Sequence, residues 1–290
     1  MKKETIAKII RTILRKDIEF NIDYFPYEES KGHYKNIYKI VSGSQKYVLK
    51  KAKGNELDCY QFINNSVNSI PYFYGSYHYY GSDYILIEYI EGENAIKMDR
   101  TKLVKTIDAI IKAQKLFWKS KDTFGVSLES AVERIENRFK YLPNELKDTY
   151  SKYIDCFKKT LVTFSHEDLL PFNVLLSKDR VCFIDLEVMG ILPYPTMLAR
   201  LLAFTEEKDD ALFFLKKEDY GFAINYYYDN FIKEQGISKH DYLLTFNLFV
   251  YNELIEWVYV YQKNHYPLNA FYNKWYQKAL QKQNELLSLM

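Results

Sequence analysis

The stretch FSHEDLLPFNVLLSKDRVCFIDLE, residues 164–187, sets three polar side chains between apolar runs. Asp168 and Asn173 are five residues apart across a short polar turn. The apolar runs on either side of residues 177–180 predict two short strands joined as a tight hairpin. Such a hairpin would carry Asp185 back beside Asn173. Carboxylate and amide oxygens gathered at one end of a small sheet suit a hard cation such as Mg²⁺, and Asp168 would be left to act as a base.

The same order and spacing occur in the kinase pattern His-x-Asp-x-x-x-x-Asn followed by a metal-binding Asp. In that pattern the first Asp takes the proton of the acceptor hydroxyl, and the Asn and the second Asp hold the metal ions. Asp185 is followed here by Leu186 and Glu187 instead of the Phe and Gly of protein kinases. HEDLLPFN, which begins at His166, followed by FIDLE instead resembles the aminoglycoside phosphotransferase and choline kinase family.

This resemblance implies an α+β, two-lobed protein-kinase-like fold. A small antiparallel-sheet lobe would span residues 1–91, and a larger, mainly helical lobe would span residues 92–290. It also implies ATP or GTP and Mg²⁺ as cofactors, with transfer of the γ-phosphate to a hydroxyl of a small molecule such as an amino alcohol, an aminoglycoside or a sugar-like acceptor. His166 would brace the loop. Glu187 matches a family Glu that could reach metal or substrate, or cap the next helix.

Other interpretations of the same residues stay open. Asp168, Asn173 and Asp185 could be ordinary turn residues, since Asp and Asn are common in turns for local hydrogen-bonding reasons. The chain could also be a kinase-shaped structural or binding protein without turnover. A protein kinase is disfavoured, because no Asp-Phe-Gly or Ala-Pro-Glu segment follows the hairpin.

The sequence YVLKK at residues 47–51 parallels the kinase strand whose lysine pairs with the α- and β-phosphates. Side chains alternate along a strand, so one of Lys50 and Lys51 can face the nucleotide, and the family pattern favours Lys50. An exposed edge-strand lysine is the alternative. Asn55 is predicted to cap the next helix, where Glu56 would either pair with Lys50 or stabilise the helix dipole.

Two further segments would contact the nucleotide. Gly32 is the glycine available for a lid over the phosphates, although a full kinase loop has three. A strand that begins near Tyr84 would run into a hinge, where the resemblance implies that the carbonyl of Glu88 and the N–H of Ile90 bind the adenine edge.

Helical periodicity dominates the rest of the chain. Glu253 and Trp257 are four residues apart on one predicted helix and could together accept a cationic amine. A core-facing Trp beside an exposed Glu is the alternative. Helices are predicted at 99–118, 128–140, 144–160, 195–205, 208–215, 218–234, 239–263 and 267–287.

Composition sets outer limits on function. The chain of 290 residues has a net charge of +2 and no dense run of Lys or Arg, so no nucleic-acid partner is indicated. No apolar run is long enough to span a membrane. The amphipathic helix predicted near the amino terminus is expected to face the core, with a position on a membrane surface as the alternative. The three cysteines lie far apart among apolar neighbours, which favours reduced thiols and a cytoplasmic location. The oligomeric state stays open.

Overall fold

A computed structural model describes residues 1–26 and 33–289 of the chain. The amino-terminal part consists of one antiparallel sheet and two helices. In chain order these elements are α1 (Lys3–Leu14), β1 (Asn21–Pro26), β2 (His33–Ser42), β3 (Gln45–Lys51), α2 (Glu56–Ile63), β4 (Phe73–Tyr79) and β5 (Ser82–Glu88).

The five strands form a sheet in the order β1-β2-β3-β5-β4, and every neighbouring pair is antiparallel. Helix α1 packs on one face of this sheet through Ile6, Ile9 and Ile10, all fully buried against apolar strand residues such as Ile40 and Leu49. Burying the apolar stripe leaves the basic side of the helix in solvent. The prediction of a core-facing amphipathic helix is therefore confirmed.

The middle of the chain contains the hairpin that was predicted from residues 164–187. Its elements are β6 (Gly92–Asn94), α3 (Arg100–Leu116), α4 (Leu128–Phe139), α5 (Asn144–Lys159), β7 (Val162–His166), β8 (Val174–Ser177), β9 (Val181–Phe183) and β10 (Met189–Pro193). Strands β8 and β9 pair antiparallel, as predicted, and β6 joins them as a third strand. Strand β10 pairs with β7. The lobe boundary after residue 91 remains a prediction; the chain passes there from β5 into β6.

Helices make up most of the remaining chain. They pack around a core that includes Phe164, Leu198 and Phe249. The elements are α6 (Thr196–Leu202), β11 (Thr205–Glu206), β12 (Phe213–Phe214), α7 (Lys217–Tyr227), α8 (Lys239–Lys263) and α9 (Ala270–Leu289). A small sheet followed by a mainly helical part confirms the predicted fold class.

The helix predicted at 208–215 is wrong. Two short strands, β11 and β12, pair in parallel instead. The N–H of Phe214 donates to the carbonyl of Ile96 at 2.8 Å, and Phe213 is buried. Pairing with a distant part of the chain therefore overrides local helical preference, as tertiary contacts often do in short segments.

The three cysteines are free thiols, as predicted. Across residues 1–26 and 33–289, no helix has the length and apolar content needed to cross a membrane.

Candidate active site

His166 is the last residue of strand β7, and its ring is fully buried. Its Nε2 lies 2.9 Å from the carbonyl oxygen of Ile184, and its Nδ1 accepts the backbone N–H of Asp168 at 3.1 Å. These partners assign the proton to Nε2, and burial lowers the pKa of the ring. A neutral His166 thus braces the loop, which agrees with the structural role predicted for it.

Asp168 and Asn173 are held together by the turn between β7 and β8. The amide nitrogen of Asn173 donates to the backbone carbonyl of Asp168 at 2.8 Å and to its Oδ2 at 3.2 Å. Asn173 is buried, and its amide oxygen accepts no hydrogen bond from the part of the chain that the structure describes. That oxygen is therefore available to a ligand.

Asp185 follows strand β9 directly and returns to the same place. The N–H of Ile184 donates to the carbonyl of Asn173 at 3.0 Å, which joins the two ends of the hairpin. Asp185 has φ 63° and ψ 61°, in the left-handed region that non-glycine residues seldom adopt. Such backbone conformations persist where the surrounding structure imposes them, often at functional sites.

Lys50 connects the amino-terminal sheet to this hairpin. Its Nζ lies 3.1 Å from Asp185 Oδ1 and 2.8 Å from Glu56 Oε1 on helix α2. Of the two alternatives for Glu56, the structure contains the ion pair with Lys50. The contact is not aligned as a hydrogen bond, so both oxygens of the fully buried Glu56 carboxylate lack a hydrogen-bond partner among the described residues.

Burial alone would lower the pKa of Lys50, but the charges of Glu56 and Asp185 outweigh it and raise the pKa. Lys50 therefore carries a positive charge between two carboxylates. Lys51, its neighbour on the strand, is exposed. Alternation along β3 thus points Lys50, and not Lys51, at the hairpin, as predicted.

Two predictions about the nucleotide side have different outcomes. Asn55 is the N-cap residue of helix α2, as predicted, although its side chain makes no capping hydrogen bond. Its backbone N–H instead donates to the carbonyl of Glu187 at 3.4 Å. Gly32 lies outside the described residues.

The predicted hinge follows strand β5. The carboxylate of Glu88 accepts a hydrogen bond from the N–H of Tyr72 at 3.0 Å. It also forms an ion pair with Arg180, which lies in the turn between strands β8 and β9. The N–H of Ile90 donates to no partner within residues 1–26 and 33–289. Adenine binding by the Glu88 carbonyl and the Ile90 N–H stays a prediction.

Asp168 lines an open cavity of about 240 Å³, together with residues of helices α4, α5, α6 and α8. Glu187 and Glu253 also line it, so the structure brings both near the proposed base. Glu187 lies in a short turn before β10, and the interpretation that it caps the next helix is wrong, because that helix begins at Thr196.

Trp257 is not brought to this cavity. Its side chain is 37% exposed and packs edge-on against Phe271 of helix α9. Glu253 is buried instead, and its Oε2 accepts a hydrogen bond from Arg200 at 2.8 Å. The pair therefore does not form the predicted cation site. The alternative, a core-facing Trp257 beside an exposed Glu253, is also wrong.

Arg200 is the site residue that the sequence did not reveal. Its NH2 donates to Asp168 Oδ1 at 2.7 Å, and its NH1 donates to Glu253 and Glu256. Burial alone would lower its pKa, but the three carboxylates outweigh burial and raise it. The only sequence signal was an arginine on helix α6 soon after the hairpin.

The donor set fits a metal ion that completes its shell with other oxygens. No cluster of three or more His, Cys, Asp and Glu with metal-binding geometry occurs among the described residues. Asn173 and Asp185 supply two oxygens, and Asp185 Oδ2 accepts no hydrogen bond from the described residues. Mg²⁺ is commonly held by one or two protein oxygens plus waters and phosphate oxygens. The residues therefore fit Mg²⁺ together with a nucleotide.

Comparison with protein-family models gave no match. Comparison with curated protein sequences gave none either.

Solved structures do match. A choline kinase from Cryptosporidium parvum Iowa II superposes with a TM-score of 0.63 at 16% identity, over 99% of this chain and 97% of that chain. An aminoglycoside-3'-phosphotransferase of type VIII gives 0.55 at 17%, over 83% and 97%. A thermostable aminoglycoside phosphotransferase mutant in a ternary complex with ADP and hygromycin B gives 0.51 at 13%, over 98% and 97%. The chain therefore has the kinase-like fold that the hairpin motif predicts.

Proposed function

We propose that this protein is a small-molecule kinase, which transfers the γ-phosphate of ATP or GTP to a hydroxyl of a small acceptor. One observation carries the proposal. Lys50 comes from a distant strand, β3, and contacts Asp185 of the hairpin that also carries the bonded pair Asp168 and Asn173. Asp168 in turn lines a cavity. Turn residues with local roles alone would not need a lysine from another sheet.

The roles follow from position and charge. The acceptor oxygen forms a bond to the γ-phosphorus while the bond from that phosphorus to the β-phosphate oxygen breaks, which releases ADP or GDP. Asp168 orients the acceptor hydroxyl and takes its proton. Lys50 holds the α- and β-phosphates, and Glu56 holds Lys50. Phosphoryl transfer needs little covalent help, so alignment and charge neutralisation account for most of the rate.

Asn173 and Asp185 would hold Mg²⁺. The ion neutralises charge on the phosphate oxygens when it is bound. Asp185 also contacts Lys50. The lysine proposed to bind the phosphates therefore lies beside the carboxylate that would hold the metal ion.

The solved structures support this class of reaction. Proteins of the same fold include a choline kinase, aminoglycoside phosphotransferases and a complex that contains ADP. We infer a small hydroxylated acceptor from them and from the size of the cavity, about 240 Å³. That volume lies just below the usual range for ligand pockets, about 300–1,000 Å³, and so favours a small acceptor.

The test is a coupled ADP-release assay on the purified protein with MgATP or MgGTP and a panel of hydroxylated metabolites and antibiotics. We expect acceptor-dependent release that stops when EDTA removes Mg²⁺. Calorimetry of nucleotide binding separates the alternatives. Tight MgATP binding without turnover of any acceptor would favour a kinase-shaped binding protein, and absence of nucleotide binding would refute the proposal.

A further inference from the structure

The cavity beside Asp168 holds three arginines that differ in how their donors are used. Arg134 donates from NH2 to both oxygens of Glu167, at 2.6 Å to Oε2. Arg200 donates to three carboxylates. A guanidinium has five N–H donors and binds carboxylates best in a forked geometry. Arg200 donates to carboxylates from more than one nitrogen, and Arg134 binds Glu167 through one nitrogen, so each of these two arginines has a carboxylate at hydrogen-bond distance.

Arg138 is not. Its NH1 donates to Asn252 Oδ1 at 3.3 Å, an oxygen that also accepts the Tyr150 hydroxyl at 3.3 Å. Its NH2 lies 3.8 Å from Glu256 Oε1, too far for a hydrogen bond, and its Nε is buried without a partner. The Tyr150 hydroxyl also lies against the guanidinium. The side chain is only 15% exposed. Most donors of this nearly buried cation thus lack a close acceptor.

Glu256 gives Arg138 a charge partner but no close hydrogen bond, because its Oε2 is bound by Arg200 and its Oε1 stays 3.8 Å from Arg138. A buried charge without close partners is costly, so an anion that reached Arg138 would recover free energy that the unliganded protein lacks. Arg138 lines the same cavity as Asp168. An anion at Arg138 and a hydroxyl at Asp168 could therefore belong to one molecule.

The lining of the cavity carries more carboxylates than arginines, so the position of each charge matters. Its lining carries the carboxylates of Glu167, Asp168, Glu187, Glu253 and Glu256 against the three arginines. Arg134 and Arg200 occupy four of those carboxylates, and Glu187 makes no ion pair with the described residues. Glu253 and Glu256 also act on Arg138 through their charge, but of the three arginines Arg138 is the one without a carboxylate oxygen at hydrogen-bond distance.

We propose that the acceptor alcohol carries an anionic group, a carboxylate or a phosphate, which binds the Arg138 guanidinium while its hydroxyl lies at Asp168. This inference rests on the proposed kinase function. Arg138 then selects the acceptor, and Asp168 activates it.

The first test uses simple anions as probes. The protein is saturated with Mg²⁺ and a non-hydrolysable ATP analogue, which fills the phosphate positions, and its melting temperature is measured with acetate, inorganic phosphate, acetamide or chloride at equal ionic strength. We expect acetate or phosphate to raise the melting temperature over chloride and acetamide. The rise should disappear in Arg138→Gln and persist in the remote control Arg11→Gln. No anion-specific rise in the wild type, or a rise that survives in Arg138→Gln, would overturn the inference.

The second test measures kcat/KM for matched acceptors. Glycerate and glycerol 3-phosphate carry the two anions, glycerol is neutral, and ethanolamine is cationic. We expect the anionic acceptors to exceed glycerol, with Arg138→Gln lowering that ratio about 10- to 100-fold, the range for a lost charged contact, and Arg138→Lys restoring part of it. Turnover of ethanolamine or glycerol but of neither anion would overturn this inference and leave the kinase proposal intact. Absence of nucleotide binding would refute both.

Discussion

The guanidinium of Arg200 lies 2.7 Å from Oδ1 of Asp168, the residue proposed to accept the proton of the acceptor. The opposite oxygen, Oδ2, accepts from Asn173 at 3.2 Å. Both oxygens of the carboxylate are thus oriented by neighbours, one from helix α6 and one from the hairpin. Arg200 is itself fixed by Glu253 and Glu256 of helix α8. Helix α8 therefore positions the base through one arginine.

Arg200→Gln should lower kcat about 10- to 100-fold with a smaller change in the KM for ATP, because the base would lose an oriented contact. Arg200→Lys should restore part of kcat, since it keeps the charge without the fork. Steady-state kinetics on an accepted substrate gives both constants. Unchanged kcat in Arg200→Gln would remove Arg200 from the positioning role.

The loss of unfolding free energy caused by Arg200→Gln should depend on pH. Burial alone would raise the pKa of Glu256, but Arg200 and Arg138 lower it below its usual value. A lowered folded-state pKa contributes stability above the unfolded pKa, and that contribution is lost as pH falls. Urea unfolding should thus show the penalty of Arg200→Gln to be larger at about pH 8 than at about pH 4. A penalty that grows on acidification would contradict this.

Asp168→Asn should abolish phosphoryl transfer and leave MgATP binding intact, since Asp168 faces the cavity and not Lys50. Asp185→Ala should also weaken Mg²⁺-dependent nucleotide binding, because it removes both a metal ligand and a partner of Lys50. Calorimetry with and without Mg²⁺ separates the two variants. Full turnover by Asp168→Asn would show that another group takes the proton.

The sequence predicted the part of the site that has fixed spacing. Asp168, Asn173 and Asp185 lie on one hairpin, so the distance along the chain determines their distance in space. Alternation along one strand likewise selects Lys50. Helix α8 was predicted at its observed bounds, 239–263, because its apolar residues recur without interruption.

Contacts between distant elements were not predictable. Arg200 meets Glu256 only because helices α6 and α8 pack together, and no spacing in a single sequence encodes that pairing. Strand β10 pairs with β7 although a Pro ends it, and short strands that depend on a distant partner carry little local signal. Trp257 was assigned to the site from helical spacing alone, which gives its neighbours on the helix but not the direction of the cavity.

Glu206→Gln should destabilise the protein near neutral pH. Lys274 and Lys278 of helix α9 bind both oxygens of Glu206, at 2.8 Å for Lys274, and although burial opposes it they lower its pKa from 4.5 to about 2. Because this site is in contact with solvent, we expect a loss of about 1 kcal/mol and not the full value of the shift. Because the pKa of Glu206 is lower in the folded protein than in the unfolded chain, its ion pairs stabilise the fold fully above the unfolded pKa. This stabilisation is lost as the pH falls through the folded pKa.

Denaturant unfolding across that pH range is the measurement for Glu206. The difference between wild type and variant should stay constant above about pH 5 and shrink toward about pH 2. Glu133→Gln is the matched control, because Glu133 is exposed on helix α4 and makes no ion pair with the described residues. A constant difference down to the lowest pH would contradict the ion-pair explanation.

Gly92→Ala should destabilise the junction between β5 and β6 by about 2 kcal/mol, since added atoms in a close-packed place force the backbone apart. A Cβ there would lie 2.4 Å from the carbonyl oxygen of Leu176. Gly221→Ala is the control: it lies inside helix α7, a Cβ meets nothing within 4 Å, and the variant should gain up to about 1 kcal/mol. Urea titration of both variants checks the opposite signs. Equal effects would refute the steric explanation.

Lys50→Met should cost both stability and nucleotide binding, and a second substitution should separate the two losses. Removing Lys50 leaves the fully buried Glu56 carboxylate without its cation, a change worth about 3–5 kcal/mol in buried pairs. Adding Glu56→Gln removes that charge, so the double variant should regain much of the stability. It should still bind MgATP weakly, because nothing replaces the ammonium that contacts the phosphates. Lys51→Met, on the exposed side of the same strand, should change neither property. Wild-type MgATP affinity in the double variant would show that Lys50 serves only to neutralise Glu56 and Asp185, and the phosphate-binding role would have to be given up.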